Sequence, residues 1–143
     1  MNVDVNHRWN TSEYEDRVKQ LNRTELHKLY PSESWALYRI LPQCKNVLDL
    51  GFGNGAMAEI TRKISPKTLY TGVDHQENLI TKARDIFEFS NFEYSDLIEY
   101  LKNSKRFDCI MSWSVIKSFK NWRQILELMI EKTNKFVICD IRV

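Results

Sequence analysis

Three glycines at every second position follow a short apolar run, and this stretch constrains the fold more than any other. Val47 to Gly55 reads Val-Leu-Asp-Leu-Gly-Phe-Gly-Asn-Gly, and only four glycines occur among all 143 residues. The apolar run is typical of a buried strand, and glycine tolerates positive φ and close approach to the backbone. Helical spacing then begins at Ala56, Met57, Ile60 and Ile64. Strand, glycine turn and helix predict a ligand site at the carboxyl edge of an α/β sheet.

Asp49 is a carboxylate inside the apolar strand. Burial of an unpaired charge costs several kcal/mol, so this side chain needs a partner. One interpretation is that the carboxylate accepts hydrogen bonds from backbone N–H groups of the turn. The other is that it belongs to a ligand site, because it lies where the turn opens.

Strand and helix patterns alternate along the rest of the chain. Apolar runs predict further strands at 69–73, 92–94, 107–111 and 136–139, and helical spacing predicts helices over 76–87, after Asp96 and after a cap at Asn121. Strands separated by helices of this kind predict right-handed crossovers. We therefore expect an α/β, Rossmann-like, mostly parallel sheet of about five strands with helices on both faces.

Helical patterns also precede the first strand. The capping-box pattern Ser12-Glu-Tyr-Glu15 predicts one helix, residues 24–30 a second, and a third is predicted to start at a Ser32 cap and to end at Pro42. We divide the chain into an N-terminal helical segment, 1–42, and a core, 43–143, within a single domain. Whether the segment packs on the sheet or acts as a flap stays open.

Composition excludes several classes of protein. A net charge of +2 is too balanced to indicate a nucleic-acid or anionic-membrane partner. No apolar run approaches the roughly 20 residues of a membrane span, and the N-terminus lacks a signal-peptide pattern. The three cysteines lie in or beside apolar runs, and no Cys/His spacing resembles a metal site. We expect reduced thiols and a cytoplasmic protein without a metal.

The motif Asp49-Leu-Gly-Phe-Gly-Asn-Gly55 resembles the D-x-G-x-G-x-G motif of class I S-adenosylmethionine-dependent methyltransferases. The resemblance continues in register through three further landmarks: Tyr70–Asp74, Asn91–Asp96 and Phe107–Val115. Together they cover about residues 45 to 140. The resemblance implies that the chain binds S-adenosylmethionine, with S-adenosylhomocysteine as the product of methyl transfer.

The resemblance also implies roles for individual residues. Asp49 would help to hold the ammonium of the cofactor, Asp74 would accept from the ribose hydroxyls, and His75 would flank the adenine. Asp96 would accept from the adenine amine, and Leu97 would donate its backbone N–H to the ring. The backbone of the turn would pass under the methionine part, and the loop after the fourth strand would meet the cofactor; these two stretches add Gly51, Phe52, Gly53, Gly55, Ser112 and Trp113.

Simpler interpretations stay open for several of these residues. Asp74 and Asp96 each precede a glutamate by three positions, Glu77 and Glu99, so both could be helix caps. Trp113 could belong to the core, and His75 could be a bystander. No residue stands out as a catalytic base, so the catalytic residues remain unassigned.

The expected function is in-line methyl transfer to a small-molecule acceptor. A base is needed only where the acceptor must lose a proton, so its absence fits an amine or a carboxylate acceptor, and equally a base on a missing segment. The loop Ser-Trp-Ser-Val at 112–115 differs from the Asn-Pro-Pro-Tyr of methyltransferases that act on amino groups of adenine or glutamine.

Members of this family normally continue beyond the fifth strand into a further helix and hairpin, and we expect this chain to lack that part. The strand 136–143 would then be a sheet edge on which a second copy or a partner chain could pair. This leaves two rival functions: a non-catalytic, methyltransferase-like partner subunit, and a nicotinamide- or flavin-dinucleotide-binding domain, because Gly51–Ala56 also satisfies G-x-G-x-x-A.

Overall fold

The computed structural model describes residues 24–140, in which strands and helices alternate. The strands are β1 Asn46–Leu50, β2 Leu69–Asp74, β3 Asn91–Tyr94, β4 Phe107–Ser112 and β5 Thr133–Cys139. The helices are α1 Pro31–Ile40, α2 Ala56–Ile64, α3 Glu77–Ile86, α4 Leu97–Asn103 and α5 Trp122–Glu131. Single 3₁₀ turns lie at Leu26–Lys28, Leu41–Gln43 and Ile116–Ser118.

The five strands form one parallel sheet in the order β3-β2-β1-β4-β5. The central strand β1 pairs with β2 and β4, so that Leu48 lies opposite both Thr71 and Ile110. The strand order reverses between β1 and β4, and open sheets of this kind bind ligands outside the carboxyl ends of the strands at such a reversal. The predicted α/β, Rossmann-like architecture is confirmed.

Alternation along β1 divides the core into two clusters, one on each face of the sheet. Val47 belongs to the cluster covered by α1, α2 and α3, whereas Leu48 and Leu50 belong to the cluster covered by α4 and α5. All three side chains are fully buried. Because side chains on a strand alternate between faces, the apolar run of β1 supplies both cores at once. Helices on both faces, as predicted, follow from this.

The described part of the N-terminal segment packs on the sheet, because Leu37 and Leu41 are fully buried in the first cluster. The predicted helix over 24–30 is wrong, since only a 3₁₀ turn forms there. The Ser32 cap is also wrong: the helix begins at Pro31, and Glu33 accepts a hydrogen bond from the backbone N–H of Tyr30 at 2.8 Å. Proline is favoured at the first helical position because its missing N–H would have no partner there.

Four other predictions concern the N-terminal helix, the segment boundary, one helix cap and the start of the last strand. The helix predicted from Ser12 lies outside the described residues, and the boundary between 42 and 43 stays a prediction. Asn121 precedes α5 without donating or accepting a capping bond through its side chain, and β5 begins at Thr133 rather than at Phe136. The start of β5 is polar and partly exposed, so it carries no apolar signal. Between residues 24 and 140, no helix is long and apolar enough to cross a membrane.

Candidate functional site

The glycine turn after β1 lies at the carboxyl edge of the sheet, and all three of its glycines have positive φ, at 76°, 61° and 82°. The Gly51 N–H donates to the carbonyl of Val73 at the end of β2, at 2.7 Å. A Cβ on Gly51 would lie 2.7 Å from the Val115 side chain, and one on Gly55 would lie 3.0 Å from Phe87. The bare backbone of this turn is therefore required by its conformation and by protein packing at these two glycines, without any ligand.

Asp49 is 1% exposed beneath this turn. Its Oδ2 accepts a hydrogen bond from the Tyr70 hydroxyl at 2.6 Å, whereas its Oδ1 is buried without a hydrogen-bond partner among residues 24–140. The interpretation that Asp49 anchors the N–H groups of the turn is wrong, because its bonded partner in the described structure is a phenol. A buried carboxylate oxygen without a partner is rare and needs an explanation.

Two carboxylates share this site, and burial raises the pKa of both. Burial raises the pKa of Asp49 to about 7, an effect that the Tyr70 hydrogen bond opposes and the nearby Asp74 charge reinforces. Burial also raises the pKa of Asp74, opposed by His75 and by backbone N–H groups. No lysine or arginine of residues 24–140 pairs with either one. The site therefore favours a ligand that brings positive charge.

Asp74 ends β2 and is 4% exposed. Its Oδ2 accepts from the N–H of Gly53 at 3.2 Å and its Oδ1 from the N–H of Gln76 at 3.0 Å. The N-cap of α3 is Gln76 rather than Asp74, so the helix-cap interpretation of this aspartate is wrong. Asp74 instead ties β2 to the glycine turn, and its carboxylate keeps further lone pairs for other donors.

Buried polar atoms without partners cluster around the same edge. His75 and Gln76 follow β2, and Trp113 follows β4. Within the part of the chain that the structure describes, both ring nitrogens of His75, Oε1 of Gln76 and Nε1 of Trp113 are buried with no hydrogen bond, although Nδ1 of His75 lies 3.5 Å from Oδ1 of Asp74. The imidazole meets the edge of the Phe119 ring, with ring centroids 6.1 Å apart. Most buried polar groups find a partner in the protein, so such a concentration indicates a place where a polar ligand belongs.

Other predicted site residues are committed to the protein through their side chains. Phe52 packs on Phe92 in the core, with ring centroids 4.9 Å apart, so only its backbone faces the turn. The Ser112 hydroxyl is fully buried and donates to the carbonyl of Leu50 at 2.9 Å. Trp113 is partly buried against the first core cluster, which the core interpretation of this residue anticipated.

Asp96 and Leu97 begin α4 at the end of β3. Asp96 is the N-cap, and its Oδ1 accepts from the N–H of Glu99 at 3.0 Å, so the capping interpretation is confirmed. The Leu97 side chain is fully buried in the second core cluster. Because the first N–H groups of a helix have no acceptor within the helix, the backbone of Leu97 is suited to donate to a ligand.

Sequence reasoning missed two features of this edge. Tyr70 was not identified as a site residue, although alternation along β2 places it on the same face as Gly72 and Asp74. Ser114 has a φ of 58°, and both its N–H and its hydroxyl donate to the carboxylate of Asp140, which follows β5. This clamp fixes the loop that carries Trp113 and Val115, and no sequence pattern pairs residues so far apart.

The fold and this edge together define a Rossmann-like domain of the class I methyltransferase type. A family model described as a methyltransferase domain matches residues 14–141. The chain therefore belongs to the methyltransferase domain family.

This chain is similar to only a part of each individual relative. Trans-aconitate 2-methyltransferase of Variovorax paradoxus (strain S110) is 24% identical over 118 residues, which are 82% of this chain and 43% of that protein. The plantazolicin methyltransferase BpumL, crystallised with a monoazolic desmethylPZN analog and SAH, superposes with a TM-score of 0.71 at 24% identity, over 94% of this chain and 53% of BpumL. Coclaurine N-methyltransferase, bound to N-methylheliamine and SAH, superposes with a TM-score of 0.59 at 18% identity, over 87% of this chain and 35% of that enzyme. The chain thus spans about half the length of these relatives or less.

Proposed function

We propose that this chain is the cofactor-binding part of an S-adenosylmethionine-dependent methyltransferase. The observation that carries the proposal is the unpartnered Oδ1 of Asp49, a 1% exposed carboxylate whose pKa is raised to about 7. S-Adenosylmethionine brings an ammonium and a sulfonium, so it supplies the positive charge that the two buried carboxylates lack. That structural relatives were crystallised with SAH adds support.

In this proposal each residue acts through an atom that the fold leaves available. Asp49 holds the ammonium through Oδ1, and Asp74 accepts ribose hydroxyls through the lone pairs that Gly53 and Gln76 do not use. His75 flanks the adenine, which offers polar partners for its two ring nitrogens. The backbone of the glycine turn lies along the methionine part, Oδ2 of Asp96 and the Leu97 N–H serve the adenine edge, and the loop Ser112–Trp113 faces the methyl group.

The cofactor, when bound, supplies an activated methyl group on a good leaving group. The chain then mainly has to orient the reactants, and orientation alone can contribute on the order of 7–11 kcal/mol at best. We propose a small-molecule acceptor whose attacking atom carries a free electron pair, an amine or a carboxylate, because none of the described residues at this edge stands out as a base for an acceptor that must lose a proton. The relatives named for trans-aconitate and coclaurine represent these two chemistries.

The charge of the site opposes the dinucleotide alternative. A dinucleotide lays its anionic pyrophosphate on the glycine turn. Here that turn stands over Asp49 and is bonded through Gly53 to Asp74. Asp74 stands where a dinucleotide fingerprint also has an acidic residue, so the discriminating group is Asp49, whose carboxylate would repel a pyrophosphate and attract an ammonium.

Calorimetric titration of the chain with S-adenosylmethionine, S-adenosylhomocysteine and NADH tests the proposal. We expect one molecule of either adenosyl compound to bind and NADH to bind far more weakly. The matched variants are Asp49→Asn, which should weaken binding, and Asp108→Asn, the same change at the opposite end of the sheet, where the carboxylate accepts from the N–H of Lys45. Equal loss in both variants, or tighter binding of NADH, would contradict the proposal.

Two proposals concern surroundings rather than the site. In the described sheet β5 is an edge strand, and we propose that a second copy or a partner chain pairs with it. Light scattering after size exclusion measures the mass, and a monomer at all concentrations would contradict pairing with a second copy. We propose a cytoplasmic location because Cys44, Cys109 and Cys139 are free thiols. Thiol labelling of the unfolded chain directly after extraction would count them, and fewer than three free thiols would contradict this.

A further inference from the structure

Tyr70 lies behind the candidate ammonium site and contacts it through one atom. The residue is 7% exposed, and its ring packs edge-on against Phe92, with centroids 5.8 Å apart. Its hydroxyl donates to Oδ2 of Asp49 at 2.6 Å. Gly72 lies between Tyr70 and Asp74 on the same face of β2 and directly opposite Asp49. The phenol therefore reaches Asp49 from the side away from the turn.

We propose that Tyr70 is a positioning residue, which holds Oδ2 of Asp49 so that Oδ1 is presented, ionised, to the ammonium of an amino-acid ligand. The inference rests on the proposed function and deepens it. Asp49 has two oxygens, and Tyr70 bonds one while the other has no partner in the described part of the chain. A hydroxyl that served only to satisfy a buried carboxylate would leave this imbalance unexplained.

The hydrogen bond also affects the charge of Asp49. Hydrogen bonding to the charged form favours that form, so the Tyr70 hydroxyl lowers the pKa of Asp49 against the effect of burial. Burial and the Asp49 charge raise the pKa of Tyr70 well above its ordinary value. The phenol therefore remains protonated, and remains a donor, at every pH at which the protein would be assayed.

Other titratable groups that face Asp49 act in known directions. Asp74, at the end of β2, raises the pKa of Asp49 and itself contacts the His75 imidazole, 3.5 Å from Nδ1. Cys109 on β4 also faces Asp49, and burial together with the Cys44 thiol raises its pKa, so it stays neutral. Ligand binding should thus strengthen as pH rises through about 7, where Asp49 ionises.

The test is the affinity for S-adenosylhomocysteine between pH 5.5 and 8.5 in wild type and in Tyr70→Phe. A hydrogen bond to a charged group is strong enough to shift the pKa of Asp49 upward by about one unit when it is lost. We expect Tyr70→Phe to bind about 5- to 10-fold more weakly at pH 6.5, with the deficit shrinking above pH 8. The ratio of the two affinities cancels titration of the ligand itself.

Tyr100→Phe is the matched control, because its hydroxyl also bonds a carboxylate, Glu93, while its ring packs against the second core cluster, on the opposite face of the sheet from Tyr70. The control should keep the wild-type profile. A Tyr70→Phe deficit that is the same at every pH, or one that Tyr100→Phe shares, would overturn the inference while the proposed function stands. Failure of the wild-type chain to bind the ligand would overturn the proposed function itself.

Asp49→Asn provides a second variant should Tyr70→Phe not fold. The amide cannot ionise, so its affinity should lose the rise near pH 7 that Asp49 produces in the wild type. Retention of that rise in Asp49→Asn would overturn the inference, because another group would then control it.

Discussion

Replacing Asp49 by asparagine should stabilise the ligand-free chain while it weakens ligand binding. Asp49 is 1% exposed and lies beside a second buried carboxylate, Asp74, so its ionised form is destabilised in the folded state. The isosteric amide removes the charge and keeps an oxygen for the Tyr70 hydroxyl. Sites that are strained for the sake of a ligand commonly gain stability when the functional group is removed.

The magnitude follows from the difference between the folded and unfolded pKa values. The folded pKa of Asp49 is raised to about 7, against about 3.9 in an unfolded chain. The folded state therefore binds more protons between these values, so stability falls as pH rises from about 4 to 7. A pKa difference of about three units corresponds to about 4 kcal/mol of folding stability, which the wild type has lost at pH 8. An asparagine amide left without a partner costs about 1–3 kcal/mol, so the expected net gain is about 1–3 kcal/mol.

Urea unfolding from pH 4.5 to 8 measures this difference. The stability of Asp49→Asn relative to wild type should grow by about 3 kcal/mol across the range. Asp108→Asn is the control in which the stability change has the opposite sign. The N–H of Lys45 lowers the pKa of Asp108, so the ionised carboxylate stabilises the folded state above the unfolded pKa. The variant should therefore be less stable than the wild type at pH 8. A stability difference for Asp49→Asn that does not change with pH would refute the reasoning.

Three further changes test single features of the site. Gly51→Ala should lower the stability of the fold by about 1–3 kcal/mol, because φ is 76° and a Cβ would lie 2.7 Å from Val115. Adding Val115→Ala should restore only the part of the stability lost to the steric clash, as measured by thermal unfolding. Full recovery would contradict the argument from φ. Asp74→Ala should weaken S-adenosylhomocysteine binding by about 1–3 kcal/mol in calorimetry, and unchanged affinity would leave Asp74 as a link between β2 and the turn. Asp96→Ala should cost about 0.5–2 kcal/mol of stability through loss of the α4 cap, and urea unfolding without a change in midpoint would contradict this.

The alternation of strands and helices could be predicted because most strands are apolar on both faces. Val47 and Leu48 enter opposite cores, so the whole of β1 reads as one apolar run. The first residues of β5 could not be predicted, since Asn134 and Lys135 are exposed while their backbone still extends the strand. The start of α1 at Pro31, one residue before the predicted Ser32 cap, reflects the preference for proline at the first helical position.

The carboxylates of the site could be predicted from their placement, but their partners could not. Asp49 stood out as a charge within an apolar strand, and Asp74 as the residue at a strand end. Tyr70 became a site residue only with the register of β1 on β2, which pairs Asp49 with Gly72. The Ser114–Asp140 clamp likewise depends on how the ends of β4 and β5 meet. Contacts between strands depend on register, and a strand that is apolar on both faces carries no alternation from which its register could be predicted.

The central claim is that Oδ1 of Asp49 accepts a hydrogen bond from the ammonium of a cationic ligand. A crystal structure of the chain with S-adenosylhomocysteine tests this most directly. We expect the ammonium of the ligand to lie within hydrogen-bond distance of Oδ1 of Asp49. The Tyr70 hydroxyl should remain hydrogen-bonded to Oδ2, and the ribose hydroxyls should donate to Asp74. A ligand that binds with its amino-acid end elsewhere, and leaves Oδ1 of Asp49 without a hydrogen-bond partner among the described residues, would contradict this claim.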